Sequence, residues 1–249
     1  RARALRATGE LGRKNLVSLV SSSLSAEDPF LRWWAAWSVA LLGDGLAIPP
    51  LQQFATQKGP YAAKAAAMAV RRLPVDAAHR WISSLAGNQE TARVALCAAG
   101  ALGDPTSVPW LIERMAVPAF ARAAGESFTL ITGVDLAYDD LDTDKPEGFE
   151  AGPTEDPEDE NVEMDQDEDL PWPHPELIKK WWFTHRLEFS NGTRYMLGKP
   201  MAVDSLKEVL RSGKQRQRVA AAIELAIRQP GTPLFNTSAP GFRQLTWLS

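Results

Sequence analysis

The chain has 249 residues, of which 45% are hydrophobic, so it can bury a sizeable core, and this composition excludes disorder throughout. No run of about 18 or more uncharged apolar residues occurs, which predicts a soluble, cytoplasmic protein without a transmembrane segment. The formal net charge of −4 hides an asymmetry, because residues 139–169 carry 16 acidic side chains and one lysine while the rest of the chain is basic.

The first residues, RARALRATGELG, include neither a methionine nor the apolar core of a signal peptide. They have the pattern of the second half of a helical unit, so we expect further residues upstream. From here on, a short marker recurs every 29 to 31 residues, each time after an apolar run with helical spacing. The markers are ELGR (10–13), LLGD (41–44), RLPV (72–75), ALGD (101–104) and LITGV (130–134).

Each marker separates two predicted helices. The helix before it is rich in alanine, as in ARVALCAAGALG, and the helix after most markers is amphipathic, as in SVPWLIERMA. The Gly or Pro of the marker is predicted to end the first helix, and Asp44 and Asp104 are predicted to help start the next. Since one helix pair cannot bury both of its faces, successive pairs are expected to stack around one continuous core.

Small and large side chains divide the packing of this core. Alanines are predicted to let neighbouring helices approach closely, the candidates being Ala65, Ala66, Ala98 and Ala99. Tryptophans are predicted to fill the larger gaps, the candidates being Trp34, Trp37, Trp81 and Trp110. A ligand-stacking role for Trp33 or Trp34 is the alternative to core packing.

Segments such as DPFLRWWAAWSVALLGDGLAIPPLQQFA and ALGDPTSVPWLIERM resemble HEAT or HEAT-like repeats. The resemblance covers residues 1–134 and returns in SLKEVLRSGKQRQRVAAAIELAIRQPG, near the end of the chain. It implies an all-α solenoid of stacked helix pairs that binds proteins or nucleic acid along one surface. On this interpretation residues 174–249 form a C-terminal helical part that completes the solenoid.

A narrower resemblance rests on AGESFTLITGVDL, the acidic loop, DLPWPHPELIKKWW, GTRYMLGKP and QRQRVAAAIELAIR. Together these pieces are similar to an uncharacterised proteobacterial HEAT-repeat family, some of whose members are encoded beside type VI secretion effectors. Members of this kind resemble TsiT-like immunity proteins, which neutralise a nuclease effector. The resemblance implies that the partner of this chain is a cognate protein toxin with a basic surface.

Residues 135–173 interrupt the repeats, and their acidic composition with few apolar side chains predicts a solvated, disordered insertion. The next segment, PELIKKWWFTHRLEF, predicts an amphipathic helix that opens near Pro175. RLEFSNGTRYML then alternates around Asn191 and Gly192, which predicts a small β-hairpin over residues 186–198, with an irregular loop as the alternative.

The sequence shows no recognisable catalytic or metal-binding pattern. The histidines His79, His174 and His185 are scattered, and the one cysteine, Cys97, lies in an Ala-rich helix where a buried, inert thiol is predicted. Ser127 lies in GESF, which is not a nucleophile elbow, and no glycine-rich phosphate loop occurs.

Alternating Asp residues near position 140 do not continue into an EF-hand loop, since position 151 is Ala. We therefore expect no enzyme, no catalytic residue, no cofactor and no metal site.

The acidic insertion is the candidate partner-binding site. Closely spaced carboxylates can give charge-assisted hydrogen bonds to the Lys and Arg residues of a basic surface, such as the groove of a nuclease. The predicted partner-binding residues are Glu155, Asp156, Glu158, Asp159, Glu160, Glu163, Asp165, Asp167, Glu168, Asp169 and Trp172. In the opposing interpretation the insertion folds onto the basic residues of its own chain, which are concentrated at Lys179, Lys180, Arg211, Lys214, Arg216 and Arg218.

Two other function classes stay open. A nucleic-acid-binding solenoid would use a basic helical edge, with QRQR at 215–218 as the best local patch and the acidic arm as an autoinhibitory competitor. An enzyme with lyase or glycosylase chemistry would need a pocket where Asp or Glu meets Trp and Arg. The interpretation that the sequence favours is a non-enzymatic immunity protein that binds and neutralises a type VI secreted toxin.

Overall fold

The computed structural model describes residues 1–152, 160 and 164–248, and it shows an all-α solenoid of stacked helix pairs. The helices are α1 (Ala2–Glu10), α2 (Val17–Ser21), α3 (Pro29–Leu41), α4 (Ile48–Ala55), α5 (Ala62–Arg72), α6 (Val75–Ala86), α7 (Ala92–Leu102), α8 (Val108–Met115), α9 (Pro118–Thr132), α10 (Pro175–His185), α11 (Val203–Ser212), α12 (Gln215–Arg228) and α13 (Gly241–Leu248). Short strands of two residues each are β1 (Asp142–Thr143), β2 (Trp172–Pro173), β3 (Tyr195–Met196) and β4 (Lys199–Pro200).

The first ten helices form five pairs in two layers. In the first layer α1 packs on α3, α3 on α5, α5 on α7 and α7 on α9. The second helices pack against this layer, α4 on α3 and α5, α6 on α7 and α8 on α9, and α10 packs on α8. The predicted all-α solenoid of stacked helix pairs is therefore confirmed, and α10 supplies the second helix of the fifth pair.

Side-chain caps and left-handed residues set the ends of the helices, as the repeated marker predicts. Asp44 Oδ1 accepts a hydrogen bond from the Leu46 main-chain N–H at 2.9 Å, and Asp104 Oδ1 accepts one from Thr106 at 2.9 Å. The glycine of the marker has a positive φ in four of the five repeats, which only glycine adopts without strain. These glycines are Gly12, Gly43, Gly103 and Gly133.

Two glycines allow first-layer helices to approach closely. A Cβ added to Gly9 of α1 would lie 2.5 Å from the Cα of Ser38 on α3, and one added to Gly100 of α7 would lie 2.9 Å from the Cα of Ser127 on α9. In both pairs the serine hydroxyl donates a hydrogen bond to a main-chain carbonyl of the preceding helix, at 2.7 and 2.9 Å. The same contact therefore recurs at two levels of the stack.

The core follows the predicted division between small and large side chains. The four alanines named above are fully buried. Trp33 is 1% exposed and stacks on Tyr61 with ring centroids 4.6 Å apart. The tryptophans predicted to fill gaps are partly buried and pack against the same hydrophobic core; they are Trp34, Trp37, Trp81 and Trp110.

The acidic insertion lies in the turn between the two helices of the fifth pair, α9 and α10. Strands β1 and β2 pair antiparallel, Asp142 opposite Pro173 and Thr143 opposite Trp172, so the insertion leaves and returns at one point. The His174 N–H donates to the Leu141 carbonyl at 2.8 Å and closes this neck further. The prediction of disorder falls partly on residues 153–159 and 161–163, which lie outside the described residues.

The β-hairpin lies further along the chain than predicted. Strands β3 and β4 are joined by Leu197 and Gly198, both with positive φ, whereas no described strand flanks Asn191 and Gly192. The main-chain groups of this segment bond to the ends of first-layer helices instead. For example, the Tyr195 N–H donates a hydrogen bond to the carbonyl of Gly103, just after α7, at 2.7 Å. Those helix-end carbonyls need partners, which a hairpin at 186–198 would leave unmet.

The C-terminal helices cross the first layer. α11 packs on α12, and α12 contacts α3 and α5. The carboxylate of Glu224 on α12 is fully buried, and it pairs with Arg71 of α5 at 3.0 Å and with Arg194 of the hairpin segment. The chain then returns to the first pair, where the Leu234 N–H donates to the Glu10 carbonyl at 2.7 Å.

Candidate partner-binding site

The second limb of the acidic insertion, residues 164–170, is held against the solenoid by three arginines from three helices. Arg93 belongs to α7, Arg122 to α9 and Arg216 to α12. Their partners are the alternating carboxylates of Asp165, Asp167 and Asp169. We call these six residues the arginine clasp.

Arg93 and Asp167 form the most regular pair of the clasp. Arg93 Nη1 donates to Asp167 Oδ2 at 2.6 Å, and Nη2 donates to Oδ1 at 2.7 Å. Two parallel hydrogen bonds of this kind fix orientation as well as charge. Asp167 is only 6% exposed, so a residue of the acidic insertion is part of the buried interior.

Arg122 connects the clasp to the neck of the insertion. Its Nη1 donates to the Asp167 carbonyl at 2.9 Å, and its Nη2 donates to Asp165 Oδ2 at 2.5 Å. Its guanidinium carbon lies 4.4 Å from the centroid of a Trp172 ring and 5.8 Å from that of Phe149. Because this arginine is only 7% exposed, its bonds and ring contacts are shielded from water.

Two more exposed ion pairs link the insertion to the start of α12. Arg216 Nη2 donates to Asp169 Oδ1 at 2.8 Å, and Lys214 Nζ donates to Asp135 Oδ2 at 2.7 Å. Side chains as accessible as these are screened by solvent, so each pair contributes little to stability by itself.

The clasp shifts the ionisation of its members. Partial burial opposes the shift at Asp165, but hydrogen bonds from the Asp167 main chain and from Arg122 hold the pKa of Asp165 below its ordinary value. Burial likewise opposes the shift at Arg93, and the hydrogen bond to Asp167 raises the pKa of its guanidinium. The hydrogen bond from Lys214 lowers the pKa of Asp135. The clasp therefore favours the charged forms of Asp165 and Arg93, and the pair with Lys214 favours the charged form of Asp135.

Two titratable side chains lie close to the clasp, one turn further along the same helices. Burial raises the pKa of the half-buried Cys97 thiol on α7, although the charge of Arg93 opposes this. Burial also raises the pKa of Glu126 on α9, although Arg216 and Lys214 oppose it. Both groups therefore favour their neutral forms, in contrast to the clasp residues.

The other described carboxylates of the insertion lie at its surface. Each of them is exposed, and none forms an ion pair within the part of the chain that the structure describes. They are Asp139, Asp140, Asp142, Asp144, Glu147, Glu150, Glu160 and Glu168. The insertion thus presents a dense negative surface around a base that the clasp neutralises.

The structure separates the predicted partner-binding residues into distinct groups. Asp165, Asp167 and Asp169 bind arginines of the same chain, as the opposing interpretation of the insertion proposes for its basic body. Trp172 is half-buried at the neck, while Glu160 and Glu168 are exposed. The others, Glu155, Asp156, Glu158, Asp159 and Glu163, lie outside the described residues.

Sequence reasoning missed Arg93 and Arg122. Of the basic residues considered for such a contact, Lys214 and Arg216 pair with the insertion. The missed arginines carry a recognisable signal, because each follows an alanine in the first half of an Ala-rich helix, in ARVALCAAG and ARAAGES. A cation on a helix that is otherwise predicted to be buried requires a counter-charge from elsewhere in the chain.

Three apolar side chains on or just beyond α10, the helix that follows the neck, are exposed. Leu177 is 39% exposed, Phe183 69% and Leu187, just beyond the helix, 92%. Trp181 and Trp182 on the same helix are partly buried against the core, as predicted for at least one of them. Phe183 and Leu187 are therefore the better candidates for apolar contact with a partner.

The histidines have local partners in the fold. His174 caps α10, and the rings of His185 and Trp181 stack with centroids 4.2 Å apart. His79 Nε2 lies 3.2 Å from Asp104 Oδ2. In the described ranges no three His, Cys, Asp or Glu side chains are grouped as a metal site would need, and no described helix combines the length and apolarity needed to cross a membrane.

Comparison with known proteins agrees with this fold. A family model of HEAT repeats matches residues 1–71. No curated protein and no solved structure shows a significant match to the chain. HEAT repeats build solenoids that bind other proteins, so the match indicates a protein-interaction solenoid.

Proposed function

We propose that this chain is a non-enzymatic, cytoplasmic binding protein whose acidic insertion engages a basic surface on a partner protein. The observation that carries the proposal is that the carboxylates of the insertion fall into two groups, one bound to the solenoid and one exposed. Asp165, Asp167 and Asp169 are bound by the arginine clasp, and eight other described carboxylates remain exposed without an ion pair among the described residues.

This arrangement suits recognition for an electrostatic reason. Like charges held close together repel one another, and an approaching cationic surface relieves the repulsion between the exposed carboxylates. The neck and the clasp fix both ends of the insertion to the solenoid, which reduces the entropy that a partner must remove on binding. The main effect is expected on the association rate.

Lasting affinity needs apolar contacts as well. Phe183 on α10 and Leu187 just beyond it are both exposed, and α10 begins two residues after β2, at the base of the insertion. Apolar side chains that a partner covers completely are the usual source of slow dissociation. We therefore assign the acidic insertion to the first encounter with the partner, and Phe183 and Leu187 to its retention.

The resemblance to TsiT-like immunity proteins supplies the most specific partner, a cognate toxin secreted by a type VI system. A toxin that acts on nucleic acid carries a basic groove, and the exposed carboxylates of the insertion match the charge of the phosphates that such a groove binds. Inhibition by occupancy of this groove would be stoichiometric, with one chain needed for each toxin molecule.

The test is titration of the toxin encoded beside this gene with the purified chain, with binding kinetics measured in parallel. We expect toxin activity to fall to zero at a 1:1 molar ratio. A variant with Gln at Glu147, Glu150, Glu160 and Glu168 is expected to associate at least about tenfold more slowly. A matched control removes four exposed carboxylates elsewhere, at Glu27, Asp76, Glu113 and Glu188, and should keep the wild-type rate.

Each arm has an outcome that would contradict the proposal. Loss of toxin activity at far less than equimolar chain would mean turnover, and the chain would then be an enzyme. Equal association rates for the insertion variant and the control variant would show that the insertion is not part of the interface. Absence of any complex with the neighbouring gene product would reject the immunity assignment.

A further inference from the structure

A groove separates the first layer of helices from the C-terminal part of the chain. One wall is formed by α1, α3 and α5, and the other by α12 and residues 234–238. Its volume is about 790 Å³, which falls within the range of about 300–1,000 Å³ that is typical of small-molecule sites. We call it the aromatic groove.

Aromatic rings dominate one wall of this groove. Trp33, Trp34 and Trp37 of α3 line it together with Tyr61, and Trp34, Trp37 and Tyr61 are each partly exposed. The Nε1–H groups of Trp33 and Trp37 are buried and have no acceptor among the described residues. Partly exposed rings offer stacking surface to a planar ligand.

The charged side chains of the groove are mostly cationic. Arg6, Lys64, Arg71 and Arg216 line it, with Glu10 as the one carboxylate among the described lining residues. Arg6 is bound to Glu10 at 2.9 Å, and Arg71 to the buried Glu224 at 3.0 Å. Lys64 is exposed and forms no ion pair with a described residue.

Arg216 connects the aromatic groove to the acidic insertion. It lines the groove, and it also donates to Asp169 at 2.8 Å. The arginine side chain is 47% exposed and the aspartate side chain 76%, so solvent screens their pair and a competing anion can replace Asp169 at little cost. Asp169 therefore pairs with Arg216, the cation that an anionic ligand in the groove would bind.

A carboxylate, tryptophans and arginines do meet in this groove, a combination that would suit an enzyme. Glu10 is engaged by Arg6, however, and its main-chain carbonyl anchors residue 234 of the opposite wall. Binding rather than turnover is the simpler use of the arrangement, because the lining supplies stacking surface and cations.

We propose that the aromatic groove binds a nucleotide, with the base stacked on one of the partly exposed rings of Trp34, Trp37 or Tyr61 and the phosphate bound by Lys64 and Arg216. A nucleotide joins a planar aromatic ring to an anion, which is the combination that the two walls offer. The free nucleotide and one unit of a single strand share this chemistry. The proposal does not depend on the protein partner, since Lys64 and the rings lie outside the insertion.

The experiment titrates the full chain with AMP and follows tryptophan fluorescence and heat. AMP is expected to quench the fluorescence and to bind at least about tenfold more tightly than adenosine or inorganic phosphate alone. A single strand of ten deoxyadenylates forms a further arm. Tighter binding of AMP identifies the free nucleotide as the source of the ligand, and tighter binding of the strand identifies nucleic acid.

Two exposed residues allow the site to be tested without disturbing the core. Lys64→Ala is expected to weaken AMP binding about tenfold. Asp169→Asn frees Arg216 and is expected to tighten it about threefold to tenfold, whereas the control Asp139→Asn, which changes an exposed carboxylate away from the clasp, should leave it unchanged.

Several results would overturn the proposal. Phosphate that binds as tightly as AMP would show that the rings do not contribute. AMP affinity that is unchanged in Lys64→Ala would place the site elsewhere. No binding of AMP or of the strand, either to the wild-type chain or to Asp169→Asn, would exclude a nucleotide from the groove.

Discussion

Arg93 and Asp167 lie 74 positions apart in the sequence, yet their side chains meet in two parallel hydrogen bonds of 2.6 and 2.7 Å. This pair joins a buried first-layer helix to the most acidic segment of the chain. It shows that the acidic insertion is part of the folded structure at its second limb and a solvated surface elsewhere. Under the proposed function, stability and recognition depend on different carboxylates of one segment.

Loss of Arg122 should release the second limb. Arg122→Ala removes two hydrogen bonds and the contact with Trp172, so we expect the free energy of unfolding to fall by about 2–4 kcal/mol. Urea denaturation measures the change. Arg80→Ala, at an exposed position on α6, is the matched control and should alter stability by less than about 0.5 kcal/mol. Equal effects of the two substitutions would show that the clasp does not stabilise the fold.

Neutralising the buried Glu224 should detach the C-terminal helices from the first layer. Glu224→Gln leaves Arg71 and Arg194 without their counter-charge, so we expect destabilisation of about 3–5 kcal/mol. The control Glu208→Gln breaks only the exposed pair with Lys199 and should change stability by less than about 1 kcal/mol. A loss at Glu224 no larger than the control would contradict this role.

The contribution of Asp165 should depend on pH with a definite sign. Because its pKa is lowered in the folded chain, the stability that it adds is fully present above its ordinary value of 3.8 and is lost as the pH falls through the folded value. The stability difference between the wild type and Asp165→Asn should be constant from about pH 5 to 8 and shrink below about pH 4. A constant difference down to pH 2 would contradict the role of the charged form.

Glu126 should show the opposite sign. Burial raises its pKa in the folded chain, so the charged carboxylate lowers stability at neutral pH. We expect Glu126→Gln to raise the melting temperature at pH 7, and the gain should disappear below its ordinary value of 4.5, where both states are protonated. A loss of stability at pH 7 would mean that attraction to Arg216 and Lys214 outweighs burial.

Much of the solenoid follows from local rules that a sequence displays directly. The marker glycines have positive φ, Asp44 and Asp104 cap helices, and the four predicted close-contact alanines of α5 and α7 are buried. Periodicity reports which face of a helix is apolar, and neighbouring pairs in the chain then stack. These relationships span about one repeat, so no long-range information is needed.

The rest depends on pairings between distant parts of the chain, which periodicity does not encode. Glu224 meets Arg71 across 153 positions, and this contact brings α12 onto α3 and α5. The acidic composition of the insertion predicts solvation, yet the buried Arg122 and the partly buried Arg93 bind its second limb to the solenoid. The exposure of the described unpaired carboxylates could be predicted from composition. The clasp could not, because it depends on where the starts of α7 and α9, which carry Arg93 and Arg122, lie in three dimensions.

The paired neck of the insertion has a consequence for how such a protein can diversify. The chain leaves the solenoid at Asp142–Thr143 and returns through the second limb, which the clasp holds, to Trp172–Pro173. The residues between β1 and the second limb can therefore lengthen, shorten or change sequence without displacing α9 from α10. The fifth helix pair thus forms a constant scaffold, and the segment inserted between its helices can be exchanged. Grafting a different loop onto the same neck should redirect the solenoid to another target while its scaffold stays the same.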